Sequence, residues 1–166
     1  MLHTTTAPAP AAPVRLRPLL PGETGPVLEV FDGLSPRSRY LRFLAPMPRL
    51  PGPVLRVLTD VDHDRHVAYV AHAGAPGHGP AIGIGRYHVL PRDPATADLS
   101  LAVIDPHQRR GVGRMLLRAL TDTARARGLH ALEVTMSPQN HAILRLIHPV
   151  RPRLSDGLYQ ARIPLT

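Results

Sequence analysis

The sequence predicts a single α/β (α+β) domain built on a mixed, mostly antiparallel sheet flanked by helices. Three observations point to it. Two strand-like runs, His66 to Ala73 and Ala81 to Leu90, surround the glycine-rich stretch Gly74 to Pro80 and read as a hairpin. The span Thr96 to Thr135 reads strand, glycine turn, amphipathic helix, strand, which implies one parallel crossover. Near the end, Arg151 to Leu154 and Leu158 to Ile163 flank Asp156-Gly157 and read as a second hairpin.

The elements follow in order. Val14 to Pro18 alternates polar and apolar residues and reads as a first strand. Pro21 to Phe31 suits a helix, with Pro near its start and Gly33 after its end. Ser35-Pro36 is an N-cap followed by Pro at the first helical position, opening a helix with Tyr40, Leu41, Phe43 and Leu44. Ala45 to Pro53 is a Pro-rich connector, and Val54 to Val61 leans to helix. His66 to Ala73 places Val67, Tyr69 and Ala71 on one face. Pro91 to Ala95 reads as a loop, and Thr96 to Ile104 as the third strand of this sheet. The next helix, from Val112 to Arg127, lines Val112, Met115, Leu116, Ala119 and Leu120 along one stripe. Gly128 stands where a C-terminal cap is expected. Ala131 to Thr135 is a strand, and Ser137-Pro138 reads as the cap of a helix carrying Ile143, Leu144 and Ile147.

Composition bounds the answer. A chain of 166 residues with 43% hydrophobic content supports one domain with a real core. The Thr-, Ala- and Pro-rich opening 1–13 reads as a disordered tail, leaving 14–166 as the domain. That opening has neither the basic start nor the apolar block of a signal peptide. No cysteine is present, which excludes disulfides and cysteine-ligated zinc. No apolar run is long enough to span a bilayer, so the expected location is the cytoplasm. The formal charge of +8 comes from arginine alone, since the chain has no lysine. Such a balance suits nucleic acid or a polyanionic ligand. The arginines are scattered and aromatics make up only 4%, which disfavours a base-stacking platform.

The most informative stretch is Gln108-Arg109-Arg110-Gly111-Val112-Gly113, between the strand and the amphipathic helix. The first amides of a helix have no intrahelical partners, and the helix dipole makes that end positive. Such an end holds phosphate groups well. Gly111 and Gly113 let phosphates approach the main chain, and Arg109, Arg110 and Arg114 add charge. No Gly-Lys-Ser/Thr follows, which excludes a Walker A loop. Nor does the spacing match the dinucleotide fingerprint; Gly83 and Gly85 lie inside a strand, with no third glycine. Asp60, Asp62, His63, Asp64 and His66 lie close in sequence but read as a polar helix-to-strand turn, so no metal is expected.

These residues and the order of elements resemble the GNAT superfamily of N-acetyltransferases. The family signature Gln/Arg-x-x-Gly-x-Gly/Ala is matched by Gln108 to Gly113. Leu101-Ala102-Val103 before it and Met115-Leu116-Leu117 after it agree, and Asn140 falls where the family usually carries Asn. The likeness covers roughly residues 14 to 147. Leu34 to Phe43 and Val61 to His66 resemble the bacterial protein-lysine acetyltransferase-like branch. The resemblance implies a sheet that splays open after Val103 to admit acetyl-CoA. Pantetheine would pair with the backbone of Leu101, Ala102 and Val103, like an added strand. Pyrophosphate would sit on the amides of Arg109, Arg110, Gly111, Val112, Gly113 and Arg114, within the motif that Gln108 opens. Asn140 would hydrogen-bond the pantetheine arm.

Acetyl transfer to an amine needs a general base, and a donor for the developing oxyanion. A backbone N–H near Val103 can serve as that donor. Asp98 is the candidate base; it stands where the lysine acetyltransferase-like branch has Glu, one methylene longer. Glu133, on the strand bordering the cleft, is the rival, with His88 and His107 as further options. The family's general-acid Tyr has no counterpart, since Ile147 occupies that place. The usual Gly-Phe after the helix is replaced by Val150-Arg151, and Pro149 should stop that helix early.

The acceptor reads as a protein lysine or a small-molecule amine, selected by Ser35 to Leu50 and Gly74 to Pro80. An arginine-rich rim disfavours a strongly cationic one. The alternatives are a non-catalytic acyl-CoA-binding sensor of the same fold and a basic nucleic-acid-binding module. Homodimers are common in such families, though no feature here compels one.

Overall fold

The computed structural model describes residues 12–74 and 79–165. The tail expected over 1–13 lies outside the described residues up to residue 11, as does the middle of the Gly74–Pro80 turn, 75–78. Seven strands form one sheet. β1 (Val14–Pro18), β2 (His66–Ala73), β3 (Ala81–Leu90) and β4 (Asp93–Val103) run antiparallel to their neighbours. β5 (Ala131–Met136) then joins β4 in parallel. β7 (Leu158–Pro164) pairs antiparallel with β5, and β6 (Arg153–Ser155) forms the edge beyond it. The order β1-β2-β3-β4-β5-β7-β6 is the mixed, mostly antiparallel sheet that the hairpins and the single crossover call for.

Helices cover both faces of β2 and β3, and so these strands read as nearly continuous runs of small and apolar residues. The long helix α4 (Val112–Ala126) buries Val112, Leu116, Leu120 and Ala124, a stripe at spacing four. Val112 and Leu116 pack on Ala71 and Ile82 of the sheet. On the opposite face, α1 (Gly25–Gly33) and α3 (Gly52–Thr59) bring Val27, Val30 and Leu58 against Ala68, Val70 and Ile84. The short α2 (Pro36–Phe43) lies over β4 on that same side. Gly85 allows α4 to sit close. A Cβ added there would lie 2.7 Å from Leu101 Cδ2 and 2.9 Å from Leu120 Cδ1.

Several boundaries differ from the sequence expectation: α3 spans Gly52–Thr59 rather than Val54 to Val61, β6 starts at Arg153 rather than Arg151, and three further shifts have a visible cause. α1 begins at Gly25 rather than Pro21, because Gly22 turns at φ 74°. There Glu23 accepts the Leu20 N–H (2.9 Å) and pairs with Arg17 (2.6 Å). β4 begins at Asp93, before the expected Thr96. Leu90 and Asp93 pair directly, so Pro91 and Arg92 alone make the turn. The last helix, α5 (His141–Ile147), is capped by Asn140 and not by Ser137-Pro138. Ser137 instead closes a turn, its carbonyl accepting the Asn140 N–H at 2.9 Å and its hydroxyl the Gln139 N–H at 3.2 Å. α5 ends at Ile147, and His148 is extended (ψ 136°) as the residue before a proline should be.

Gly85→Ala is expected to lose about 1–3 kcal/mol, the usual cost of overpacking a filled interior. Gly113→Ala, whose added Cβ would meet Leu146 Cδ2 at an ordinary 3.6 Å, should cost less. Urea unfolding of the two variants beside the parent measures both; equal stabilities would mean that the β3–α4 contact is loose.

Candidate functional site

β4 and β5 pair at only three positions, Thr96–Ala131, Ala97–Leu132 and Asp98–Glu133. Beyond Asp98 the strands part, because β5 continues along β7 while β4 stays with β3. The opening therefore begins five residues earlier than the expected point after Val103. This places Leu101 to Val103 along its wall rather than at its root. The Ile104 N–H donates to the Ile82 carbonyl (2.9 Å). Antiparallel alternation then turns the N–H and C=O groups of Leu101 and Val103 away from β3, into the opening. Gln108 Nε2 donates to the Val103 carbonyl at 2.9 Å and fixes the upper end of this edge.

The cavity at the opening measures about 450 Å³. Leu101, Ala102, Val103, Gln108, Arg109, Gly111, Gly113, Arg114 and Asn140 line it, nine of the eleven residues expected to hold a cofactor. Val112 is 1% exposed, so its side chain belongs to the core and only its amide can serve a ligand. Arg110 is exposed beside the cavity without lining it.

The loop is shaped for an anion. Arg109 (φ 60°) and Gly111 (φ 85°) both adopt left-handed backbone, which gathers successive N–H groups on one concave side. The first intrahelical bond runs from Met115 N–H to the Gly111 carbonyl (3.0 Å), so the Val112, Gly113 and Arg114 amides have no intrahelical acceptor. No side chain caps this end. An added Cβ at Gly111 would meet nothing within 4 Å, so the approach to these amides is open. A pyrophosphate fits this set of donors. Across the cavity, Asn140 Oδ1 accepts the Ile143 N–H (3.2 Å) as the α5 cap, which leaves its NH₂ as the group available to a ligand.

Asp98 stands at the fork, opposite His88 on β3. Asp98, like Glu133 and His88, is not among the residues that line the cavity; desolvation by burial raises its carboxyl above the ordinary value. Arg42 pulls it down, and neighbouring Glu133 pushes it further up. Asp98 still reaches solvent, which limits the rise. Glu133 is differently placed. Its two oxygens take Arg92 and Arg162, each at 2.8 Å, so both are committed to guanidinium groups. His88 stacks on His66 with ring centroids 3.6 Å apart. Burial, then the neighbouring His66, Arg86 and Arg42, push His88 down to about 4, and it is neutral at pH 7. His107 lines the cavity from the one-turn 3₁₀ segment Asp105–His107.

Two features of the site were not legible in the sequence. Arg42, near the end of α2, lines the cavity; among the arginines of that helix nothing in the sequence singles it out. Asp105 accepts from the Ser35 N–H (2.9 Å), the Ser35 hydroxyl (2.8 Å) and the Ser38 hydroxyl (3.0 Å). Gln108 Nε2 also reaches Ser38 Oγ at 3.3 Å. This network ties the start of α2 to the loop before α4. The adjacency of Ser35 and Ser38 was the available signal, but their distant partner was not.

The histidine–aspartate turn is held by backbone. Asp62 Oδ1 accepts the N–H groups of Asp64, Arg65 and His66, and His66 Nδ1 lies 2.7 Å from the Asp60 carbonyl. Among the described residues no three His, Asp or Glu side chains converge to hold a metal ion, and no helix is long and apolar enough to cross a membrane.

Comparison with known proteins places the arrangement. Residues 37–148 match the sequence profile of the acetyltransferase (GNAT) family. The chain is 28% identical to an acetyltransferase of Pseudomonas aeruginosa, over 78% of this chain and 69% of that one. It is also 28% identical to the acetyltransferase Pat of Mycolicibacterium smegmatis, over 80% of this chain and 39% of that protein, so it spans well under half of that relative. The solved GNAT domain of Streptomyces (S. lividans) PAT superposes with a TM-score of 0.80 at 26% identity, covering 91% of this chain and 90% of that one.

Burial pushes the Asp105 carboxyl up, but the hydrogen bonds from Ser35 and Ser38 outweigh it and hold it below the ordinary value. A carboxyl depressed in the folded state contributes stability above its unfolded pKa and loses it as pH falls through the folded one. The parent should therefore lose thermal stability below about pH 4, and Asp105→Asn should lose less over the same interval. Matching acid limbs in Tm against pH for the two proteins would remove Asp105 as an anchor.

Proposed function

The chain belongs to the acetyltransferase (GNAT) family and is an acetyl-CoA-dependent acyltransferase; we propose that it moves the acetyl group onto an amine by direct attack, with both substrates bound together. The carrying observation is the fork after Asp98. One opening brings together an unpaired strand edge and an uncapped helix end, with the Asp98 carboxylate in the last rung at its root. Acetyl-CoA supplies an activated acetyl thioester. The amides of Arg109 to Arg114 and the guanidinium groups of Arg109 and Arg114 hold its pyrophosphate. The Leu101 and Val103 backbone takes the pantetheine arm as a strand takes a neighbour, and the Asn140 NH₂ donates to it.

The remaining work falls to the chain's own groups. Asp98 accepts a proton from the incoming ammonium, directly or through one water. The raised carboxyl moves toward the range in which a base is effective near neutrality. A cleft-facing N–H of Leu101 or Val103 donates to the acetyl oxygen as negative charge develops there. The departing thiolate is a stable leaving group and needs no tyrosine, which agrees with Ile147 at that place. Glu133 holds Arg92 and Arg162 and shapes the field at Asp98 without taking the proton. The acceptor side is walled by α2 and α5, and nothing there requires a protein rather than a small amine.

Acetyl-CoA and CoA should each raise Tm, and ATP should not. Thermal melts with the three ligands test this; no shift at millimolar acetyl-CoA would sink the cofactor assignment. Asp98→Ala should keep the acetyl-CoA shift and lower kcat by about 10²–10⁴-fold. In the parent, kcat/KM should climb with pH through an Asp98 pKa above the ordinary carboxylate value, since the base must be ionised. That limb should vanish in the variant, and a pH–rate profile of the two shows whether it does.

A further inference from the structure

The acceptor side of the cavity holds more positive charge than its own residues balance. Arg42 lines the cavity from α2. Among the described residues its guanidinium makes no hydrogen bond and no ion pair; its one recorded partner is the Phe43 ring, 4.8 Å away. Behind it lies Arg86 of β3, 3% exposed. Arg86 donates to the Leu58 carbonyl at the end of α3 and approaches His66 Nε2 at 3.3 Å, with no carboxylate partner. Burial lowers Arg42 to about 10 and Arg86 to about 9, and Arg42 adds to the lowering of Arg86. His88 on the same face is neutral. Asp98 is the single acid that acts on Arg42, and no ion pair joins the two. Arg42 is thus the arginine that opens to the cavity from α2, with buried Arg86 behind it and Asp98 as the acid that acts on it. Buried charge is costly unless paired, and a cation left open to a cavity is a receptor for an anion.

We propose that Arg42 receives a carboxylate of the acceptor, so that the substrate is an amine that itself bears a carboxylate, a free amino acid rather than a lysine side chain in a polypeptide. This rests on the acetyl-transfer reading and refines it. The ammonium faces Asp98 and the carboxylate faces Arg42, which divides a zwitterion between the two opposite charges the site presents. A planar guanidinium suits this task, because it meets both carboxylate oxygens at once. Arg86 keeps the local potential positive and discourages acceptors with a second cation. During transfer Asp98 takes one proton of the ammonium, the freed amine nitrogen bonds to the acetyl carbon, the thioester C–S bond breaks, the second proton passes from nitrogen to the departing thiolate or to solvent, and the carboxylate stays on Arg42 unchanged.

The test is thiol release from acetyl-CoA with the proteinogenic L-amino acids, each beside its own α-amide, and with a lysine-containing peptide blocked at both ends. The amide keeps the amine and removes the negative charge. At least one acid should exceed its amide in kcat/KM by roughly tenfold or more, the scale of one charge-assisted pair. Arg42→Gln should bring that ratio toward one, chiefly through the KM of the acid, and Arg42→Lys should restore part of it. Acids no better than their amides, a ratio unmoved by Arg42→Gln, or a peptide that outpaces every acid would each overturn the proposal. Should no amine turn over, calorimetric titration of the CoA-loaded protein with the same acids decides, and absence of binding there overturns it too. Failure of acetyl-CoA to bind would instead defeat the acetyl-transfer reading, so the two failures are distinguishable.

Discussion

The parallel ladder between β4 and β5 stops after three residue pairs, and the site follows from that stop. A strand in the middle of a sheet normally spends its N–H and C=O groups on both neighbours. Here Leu101 and Val103 have no strand partner on one side, at mid-sheet, with the Val103 carbonyl taken by Gln108 and α4 starting just beyond. An unpaired backbone edge is a liability when it faces another chain. Inside a cleft it becomes a template for an extended ligand. Each strand stays anchored along its other edge, β4 on β3 and β5 on β7 over six residue pairs, so the sheet holds together on both sides of the split.

The edge is useful only if it is held still. Gln108 donates to the Val103 carbonyl at the top of β4, and Asp105 binds Ser35 and Ser38 of α2. A few hydrogen bonds thus couple three parts of the site: the strand edge, the phosphate loop and the helix that carries Arg42. Ser38 stands at the crossing, since its hydroxyl donates to Asp105 and accepts from Gln108. The arrangement ties α2 to the loop before α4 through side-chain hydrogen bonds.

Much of this was legible in the sequence, for identifiable reasons. The hairpin and crossover strands carried clear periodicity, and His66–Ala73 and Ala81–Leu90 fall at the boundaries read from it. Gln108 to Gly113 carried its own chemistry, because glycines at a strand-to-helix turn have few other uses. Shifted boundaries trace to long-range or local capping that periodicity does not register, such as Glu23 closing the turn before α1 and Asn140 capping α5. Arg42 and Asp105 were missed because their roles depend on elements far apart in sequence. A resemblance names a loop; it does not report which of twenty arginines lines the cavity from α2.

The same reasoning separates the two carboxylates at the fork. Asp98 and Glu133 are cross-strand partners in the last rung of the ladder, so their charges are neighbours by construction. Two carboxylates that close together disfavour joint ionisation, and the environment decides which one yields. Glu133 gives its two oxygens to the guanidinium groups of Arg92 and Arg162. Asp98 has no ion pair among the described residues, and burial pushes it upward.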